Sequence, residues 1–311
     1  MSTQTAAGDD RALPRADDVT APSSDFTDAI PDGWVAMQLE IRAAVVTSDA
    51  GNAWGMPSAG PGAPYVNDGS DCSGAAEMRP PPRYLAGCDI SFIKGNDIDA
   101  LSALVVLSYP ALEVVYSSFR NIQLTEPYIP GFLAFREAHH ILELIEELRH
   151  KRPELEPDCL LVDGNGILHP RGCGLACQIG VLGDLPTIGI GKNLLYVDGL
   201  TKEKVKVWMA EGDSCGGQNK INDSSATTAS VSAAKFQRRD LVGDSGKTYG
   251  AAVAIPGVAK PIYVSIGHKV SLETAVALAV ASSRHRVPEP VRQADLLSRD
   301  VIRKRRAWLE K

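Results

Sequence analysis

Three acids stand where an acid is costly. Glu137 precedes Ile141 by four residues, Leu144 by seven and Ile145 by eight, so it shares the apolar face of a helix expected after Pro130 and Gly131. Asp89 interrupts a run of Leu, Ala, Gly, Cys and Ile with the alternation of a strand, an element that disfavours Asp. Asp163 ends the apolar run Cys159-Leu-Leu-Val-Asp163, with Gly164-Asn165-Gly166 after it. Such a position is the carboxyl end of a parallel strand, where open α/β sheets bind ligands. Each acid taken singly has an ordinary explanation. Glu137 could meet a buried Arg or Lys, Asp89 could rest on backbone or hydroxyl donors, and Asp163 could serve only an Asp-Gly turn. Together they say more. Three converging carboxylates repel until one keeps its proton, and a hard divalent cation such as Mg²⁺ removes the conflict. That arrangement suits metal-assisted hydrolysis of a phosphodiester.

Other residues extend this chemistry. Lys192, in Gly189-Ile-Gly-Lys192, follows a buried strand and could hold a scissile phosphate; the alternative is a surface lysine in a glycine loop. His268 follows the strand 262–266 through Gly267 and could extend a metal shell or orient a water, or simply be a buried or capping histidine. Pro127-Tyr128-Ile129-Pro130-Gly131 is a stiff loop that could push between stacked bases, or no more than a proline-framed helix start.

These residues need elements to hold them. Tyr84, Ala86, Cys88, Ile90 and Phe92 alternate with Leu85, Gly87, Asp89 and Ser91, the pattern of a strand. Two further strands are read over 101–108 and 112–122, giving an antiparallel meander. A helix follows from about residue 133, with Leu133, Ile141, Leu144, Ile145 and Leu148 as its stripe. Then come strand 159–163, helix 172–182, strand 186–190, strands 250–255 and 261–266, and a helix capped by Ser271 through about Ser283. The fold class is α/β: a mixed sheet, three antiparallel strands followed by parallel ones, flanked by helices.

Around this core, 83–298, the chain divides into an acidic leader (1–31) with the composition of a disordered segment, a helix within 32–47 packing on the core, a flexible Gly/Pro/Ser-rich insertion (48–82), a second insertion at about 211–237, and a basic tail (299–311). The net charge of −6 is uneven. Residues 1–80 carry twelve Asp/Glu against four Arg, about −8, which leaves about +2 for the rest. The tail segment RDVIRKRR (299–306) is locally basic and fits phosphates, a nuclear signal or plain solvation. No apolar run approaches the roughly 18 residues of a membrane helix, and no secretory signal is read at the N-terminus. The six cysteines lack CxxC or zinc spacing and indicate a reducing compartment.

The segments RYLAGCDISFIKG (83–95), EPYIPGFLAFRE (126–137), LLVDGNGILHPRGCGLA (160–176), DLPTIGIGKNLL (184–195), SIGHKVSLETAV (265–276) and RVPEPVRQAD (286–295) resemble, in order and nearly in wording, the endonuclease V family, with a lean toward its eukaryotic branch. The resemblance covers about residues 83–295 outside the second insertion. It implies a ribonuclease-H-like fold and a Mg²⁺ cofactor, for which Mn²⁺ can substitute. Asp89, Glu137 and Asp163 match the family's metal ligands, and His268 its motif histidine near the metal. Lys192 matches the lysine on the scissile phosphate, and Tyr128 lies in the strand-separating wedge. Gly131, Leu133, Gly164, Gly174 and Leu195 fall where the family lines its hypoxanthine pocket. The implied activity is hydrolysis of the second phosphodiester 3′ to inosine, leaving 5′-phosphate and 3′-hydroxyl ends. RNA containing inosine, single-stranded or structured, is the expected partner, with deoxyinosine DNA as the alternative substrate. A monomer in cytoplasm or nucleus, including the nucleolus, and no membrane association, are expected. Two readings from other classes stand beside it: an inosine-RNA binding module without catalysis, and an actin-like ATPase. Against the ATPase, Asp89-Ile-Ser lacks the glycine of a first phosphate loop.

Overall fold

A computed structural model describes residues 30–49, 51–55, 79–93, 98–210, 236–255, 258 and 260–309, with side chains of the last helix described through 304. Among the described residues, eight strands form one mixed sheet: β1 (Tyr84–Phe92), β2 (Asp99–Ser108), β3 (Val114–Gln123), β4 (Cys159–Asp163), β5 (Thr187–Gly191), β6 (Gln237–Val242), β7 (Thr248–Ala254) and β8 (Ile262–His268). Their spatial order is β3-β2-β1-β4-β5-β8-β7-β6. The meander β1–β3 is antiparallel, β4 runs parallel to β1 and to β5, and β8 turns antiparallel to β5. The second half of the sheet therefore returns to antiparallel pairing through β8, β7 and β6, where parallel strands alone were expected. The mixed α/β class holds.

Side-chain alternation sorts each strand between two layers. Ala86, Cys88, Leu104, Val106, Leu160 and Val162 pack with α2 (Leu133–Lys151) and α3 (Leu175–Leu182). Leu85, Val105, Leu107, Leu161 and Ile190 pack on the other face with α5 (Leu272–Ala281) and α6 (Glu289–Leu309). The Ser271 hydroxyl caps α5, accepting from the Thr274 amide at 3.1 Å. Helix α6 lies tight on β1. A β-carbon built on Gly87 would fall 2.0 Å from the Pro290 carbonyl oxygen, so only glycine lets the helix come this close.

Part of the segment expected as a flexible insertion is packed. Trp54 is buried and donates its indole N–H to the Asp158 carbonyl at 3.1 Å. Asp49 accepts from the Ser271 amide at 2.9 Å and the Thr274 hydroxyl at 2.8 Å. Burying a tryptophan outweighs the loop-like composition around it. Residues 56–78 of that segment, the leader 1–29 and most of the second insertion (211–235) lie outside the described residues. Next to the last, α4 (Lys202–Ala210) and β6 are elements that the sequence reading passed over. The basic tail is no separate appendage, since α6 continues through it to Leu309. Cys88, Cys159, Cys173 and Cys177 are free and buried. No described helix is long and apolar enough to cross a membrane.

Candidate active site

Parallel pairing of β1 with β4 aligns Cys88 with Val162, so Asp89 and Asp163, each one residue further, are neighbours on adjacent strands about 4.8 Å apart. Both point to the α6 face, by the parity of Leu85 and Leu161. Glu137 approaches from α2, on the opposite layer, and is 9% exposed. The three acids feel one another. Burial first, then the charges of Asp89 and Asp163, push the Glu137 carboxyl up to about 8, with Arg136 opposing. Burial likewise raises Asp89, and Asp295 raises it further; hydroxyl bonds from Ser91 and Ser298 and the charge of Lys192 pull it back.

Each aspartate already has a partner. Asp89 Oδ2 accepts from the Ser91 hydroxyl at 2.7 Å and the Ser298 hydroxyl at 3.0 Å. Asp163 Oδ2 accepts from Lys192 Nζ at 2.5 Å. Burial works against the Lys192 charge, but Asp163, with Asp295 and Asp89 behind it, holds the ammonium above the ordinary lysine range. As oriented, no group of three or more His, Cys, Asp or Glu among the described residues is arranged to hold an ion. The donor chemistry nevertheless fits one. Burial first, and then two neighbouring aspartates, disfavour the charged form of Glu137, and a cation beside these carboxylates would offset both effects. Oxygen donors crowded in this way are what a hard dication takes.

The structure does not bring His268 to these acids. In the sheet it pairs with Thr187, at the start of β5, whereas Asp163 pairs with Ile190. Three residues of strand put them about 10 Å apart along the sheet. The His268 ring accepts from the Val46 amide at 3.2 Å. Burial, then Lys269, lower its pKa against Asp184. It ties the chain after α1 (Trp34–Ala44) to β8, and the expected place near the metal is corrected to this one.

Asp295 is the acid that the sequence reading missed. It shares the face of α6 that buries Val291, Ala294 and Ser298, and its charge acts on both Asp89 and Lys192. Its other contact is Arg299 at 2.6 Å. The spacing 291, 294/295, 298 was the available signal, the same helical argument that singles out Glu137.

Among the expected pocket residues, Gly131, Gly164 and Gly174 gather around the loop 164–174. A β-carbon on Gly131 would meet Arg171 Nη2 at 3.0 Å; on Gly164, Leu175 Cβ at 3.5 Å; on Gly174, the Asn165 carbonyl oxygen at 2.2 Å. Leu133 begins α2 and Leu195 lies beyond β5, both half-buried. Tyr128 is 44% exposed on a loop anchored by buried Ile129 and by Gly131. At φ 80° Gly131 takes a turn open to glycine, and its carbonyl accepts from Gln38 Nε2 at 3.1 Å, His169 Nε2 at 3.0 Å and Arg171 Nη2 at 2.9 Å. His169 is neutral, driven down to about 4 by burial and then by Arg171. Its Nδ1 accepts from the Arg171 amide at 3.2 Å, which leaves the proton on Nε2 for Gly131.

The family model described as Endonuclease V matches residues 71–296 of the chain. The chain belongs to the endonuclease V family. Its human relative, "Endonuclease V", is 47% identical over 226 residues, spanning 71% of this chain and 72% of that protein. The crystal structure of the catalytic domain of human Endonuclease V superposes with a TM-score of 0.69 at 38% identity, covering 92% of this chain and 99% of that one. A Ciona intestinalis Endonuclease V, crystallised with a 24mer DNA containing an inosine followed by a ribo-adenosine, gives 0.69 at 32% identity, with 89% and 99% covered. As a member of the endonuclease V family the chain is a nuclease, a hydrolase of nucleic acid strands.

Proposed function

We propose that this member of the endonuclease V family cuts nucleic acid at the second phosphodiester 3′ to inosine, preferring RNA, in a reaction that depends on Mg²⁺ or Mn²⁺. What supports it is the electrostatic influence of Asp89 and Asp163 on Glu137, with Lys192 paired to Asp163. Bound there, a divalent ion would lower the pKa of a water and offset charge on the phosphate. Asp89, Glu137 and Asp163 would supply its oxygen donors. Ser91 and Ser298 fix the direction of Asp89, and Lys192 swings from Asp163 toward a phosphate oxygen, one ammonium serving two anions in turn. Tyr128, exposed between two prolines, stands in for the base that leaves the stack. The glycines at 131, 164 and 174 let backbone groups read the N1–H and O6 of hypoxanthine at close range. The Ciona relative's substrate, with a ribose directly after inosine, supports a reading in which a 2′-hydroxyl matters.

The test is a matched cleavage series in Mg²⁺ and Mn²⁺: one inosine in RNA, in DNA, and in DNA with a single ribose just 3′ of it. Rapid cleavage of the first and third, with 5′-phosphate products, is expected. Equal cleavage of the all-DNA strand would make this a deoxyinosine repair enzyme instead. Binding that needs no metal, with no cleavage of any strand, would mark a non-catalytic inosine reader.

The hold on Asp89 gives a second expectation. Ser298→Ala removes a buried donor from a ligand carboxylate, and losing such an outer partner costs about 10–100-fold in metal affinity or activity. The Mg²⁺ concentration for half-maximal cleavage should rise accordingly, and isothermal titration with Ca²⁺ should show weaker binding. Unchanged titrations by both methods would mean that Ser298 merely packs.

A further inference from the structure

Away from the acids, three cations from distant parts of the chain meet around Gly172. A β-carbon built there would lie 2.8 Å from Arg42 Nε and 3.7 Å from Lys247 Nζ, so these two nitrogens can be no more than 6.5 Å apart, the sum of those distances. Arg171 is the preceding residue. The Cys173 thiol, lowered first by its bond with Cys177, is lowered further by Arg42 and Arg171. Arg42 comes from α1, Arg171 from the loop before α3, and Lys247 from the turn between β6 and β7. No carboxylate pairs with any of them among the described residues. Arg171 donates to Gln38 Oε1 and the Gly131 carbonyl and lies over the Phe132 ring at 4.0 Å. Lys247 sits 4.8 Å over Tyr249. Asp198 is the acid near Lys247, but its oxygens accept from the Ser245 amide and hydroxyl, and it forms no ion pair with the lysine.

Three like charges drawn together with no carboxylate at ion-pair distance among the described residues repel one another, and an anion reverses that sign. The cluster is also separate from the three acids: Ala251, Val264, Ile190 and Asp163 lie level across the sheet, and Lys247 stands four residues, about 13 Å, before that level on the approach to β7. Arg171 is shared with the Gly131 carbonyl, at the end of the Tyr128 loop. We propose that Arg42, Arg171 and Lys247 form a second phosphate site, taking a backbone phosphate of the bound strand other than the one being cut. It rests on the reading of the chain as a nuclease of inosine-containing strands. Contacts of this kind position a strand and do not read sequence.

The experiment uses the full chain in Ca²⁺, with fluorescence anisotropy on two fluorescent RNAs differing only in inosine or guanosine, across a salt series. Arg42→Gln and Lys247→Gln should each weaken both RNAs equally, about fivefold at low salt. Each should reduce the slope of log affinity against log salt by about 0.7–0.9, the value for one phosphate contact on a single strand or duplex. Arg42→Lys and Lys247→Arg should keep the native slope. Inorganic phosphate added at fixed ionic strength separates sources: competition that disappears in the double Gln variant identifies a site for the free ion as well. An unchanged slope in both Gln variants, with inosine preference intact, overturns the second site while leaving the nuclease reading in place. Loss of inosine preference in the native chain itself would instead strike the reading on which it rests.

Discussion

Asp163→Asn should cut an inosine-containing strand about a thousandfold more slowly than the native chain, or worse, while binding it within a few-fold of native affinity. The substitution keeps size and shape but removes one negative oxygen from the group that would face a bound divalent ion. A divalent ion at such a site supplies several kcal/mol of charge stabilisation, and about 4 kcal/mol corresponds to a thousandfold in rate. Binding is spared for a second reason. Lys192 Nζ, 2.5 Å from Asp163 Oδ2 in the native protein, loses its carboxylate and becomes freer to meet a phosphate. Single-turnover cleavage and anisotropy on the same RNA separate the two effects. Cleavage at near native rate in Mg²⁺ would remove Asp163 from the metal site and with it the mechanism proposed for Asp89 and Glu137.

How far the sequence announces this site depends on the kind of information each residue carries. Glu137 is legible because helical period is local: its distance from Ile141, Leu144 and Ile145 places it on the buried stripe without knowledge of any partner. The alternation in β1 similarly puts Asp89 opposite Cys88, and the end of a short apolar run marks Asp163. His268 fails on the same kind of evidence. Gly267-His268 after a strand looks like Asp163-Gly164 after a strand, but β8 runs antiparallel to β5, so its carboxyl end lies at the opposite edge of the sheet. Strand direction is a property of the whole topology, and no local pattern around residue 268 contains it. Asp295 was missed for a different reason. The prolines at 288 and 290 suggest a break, yet Pro290 occupies the first turn of α6, where a missing N–H costs nothing. Trp54 and Asp49 show the reverse error: Gly/Pro/Ser composition around them points to a loose segment, while one buried indole and one helix-capping carboxylate hold it to the core.

The unequal sharing of charge among the acids leads to the last expectation. The Glu137 carboxyl titrates near 4.5 when unhindered and near 8 in the metal-free fold. Between those values the folded chain keeps a proton that the unfolded chain has given up. Stability contributed by this group is therefore present at low pH and lost as pH rises toward 8. Glu137→Gln removes the titration while keeping the shape. Without metal, the variant should match the native protein near pH 5 and exceed it at pH 8, by on the order of a few kcal/mol. Divalent metal should reverse the order. On the proposed reading, Mg²⁺ or Ca²⁺ would bind the ionised native site, release its proton and stabilise the fold in proportion to occupancy; the Gln variant, short of one anionic oxygen, should gain little and should not cleave. Thermal unfolding of both proteins at pH 5 and pH 8, each with and without Ca²⁺, gives eight midpoints that contain the whole argument. A native midpoint indifferent to both pH and metal would show that Glu137 is not held protonated by burial and neighbouring charge, and that the pocket has no unmet need for a cation.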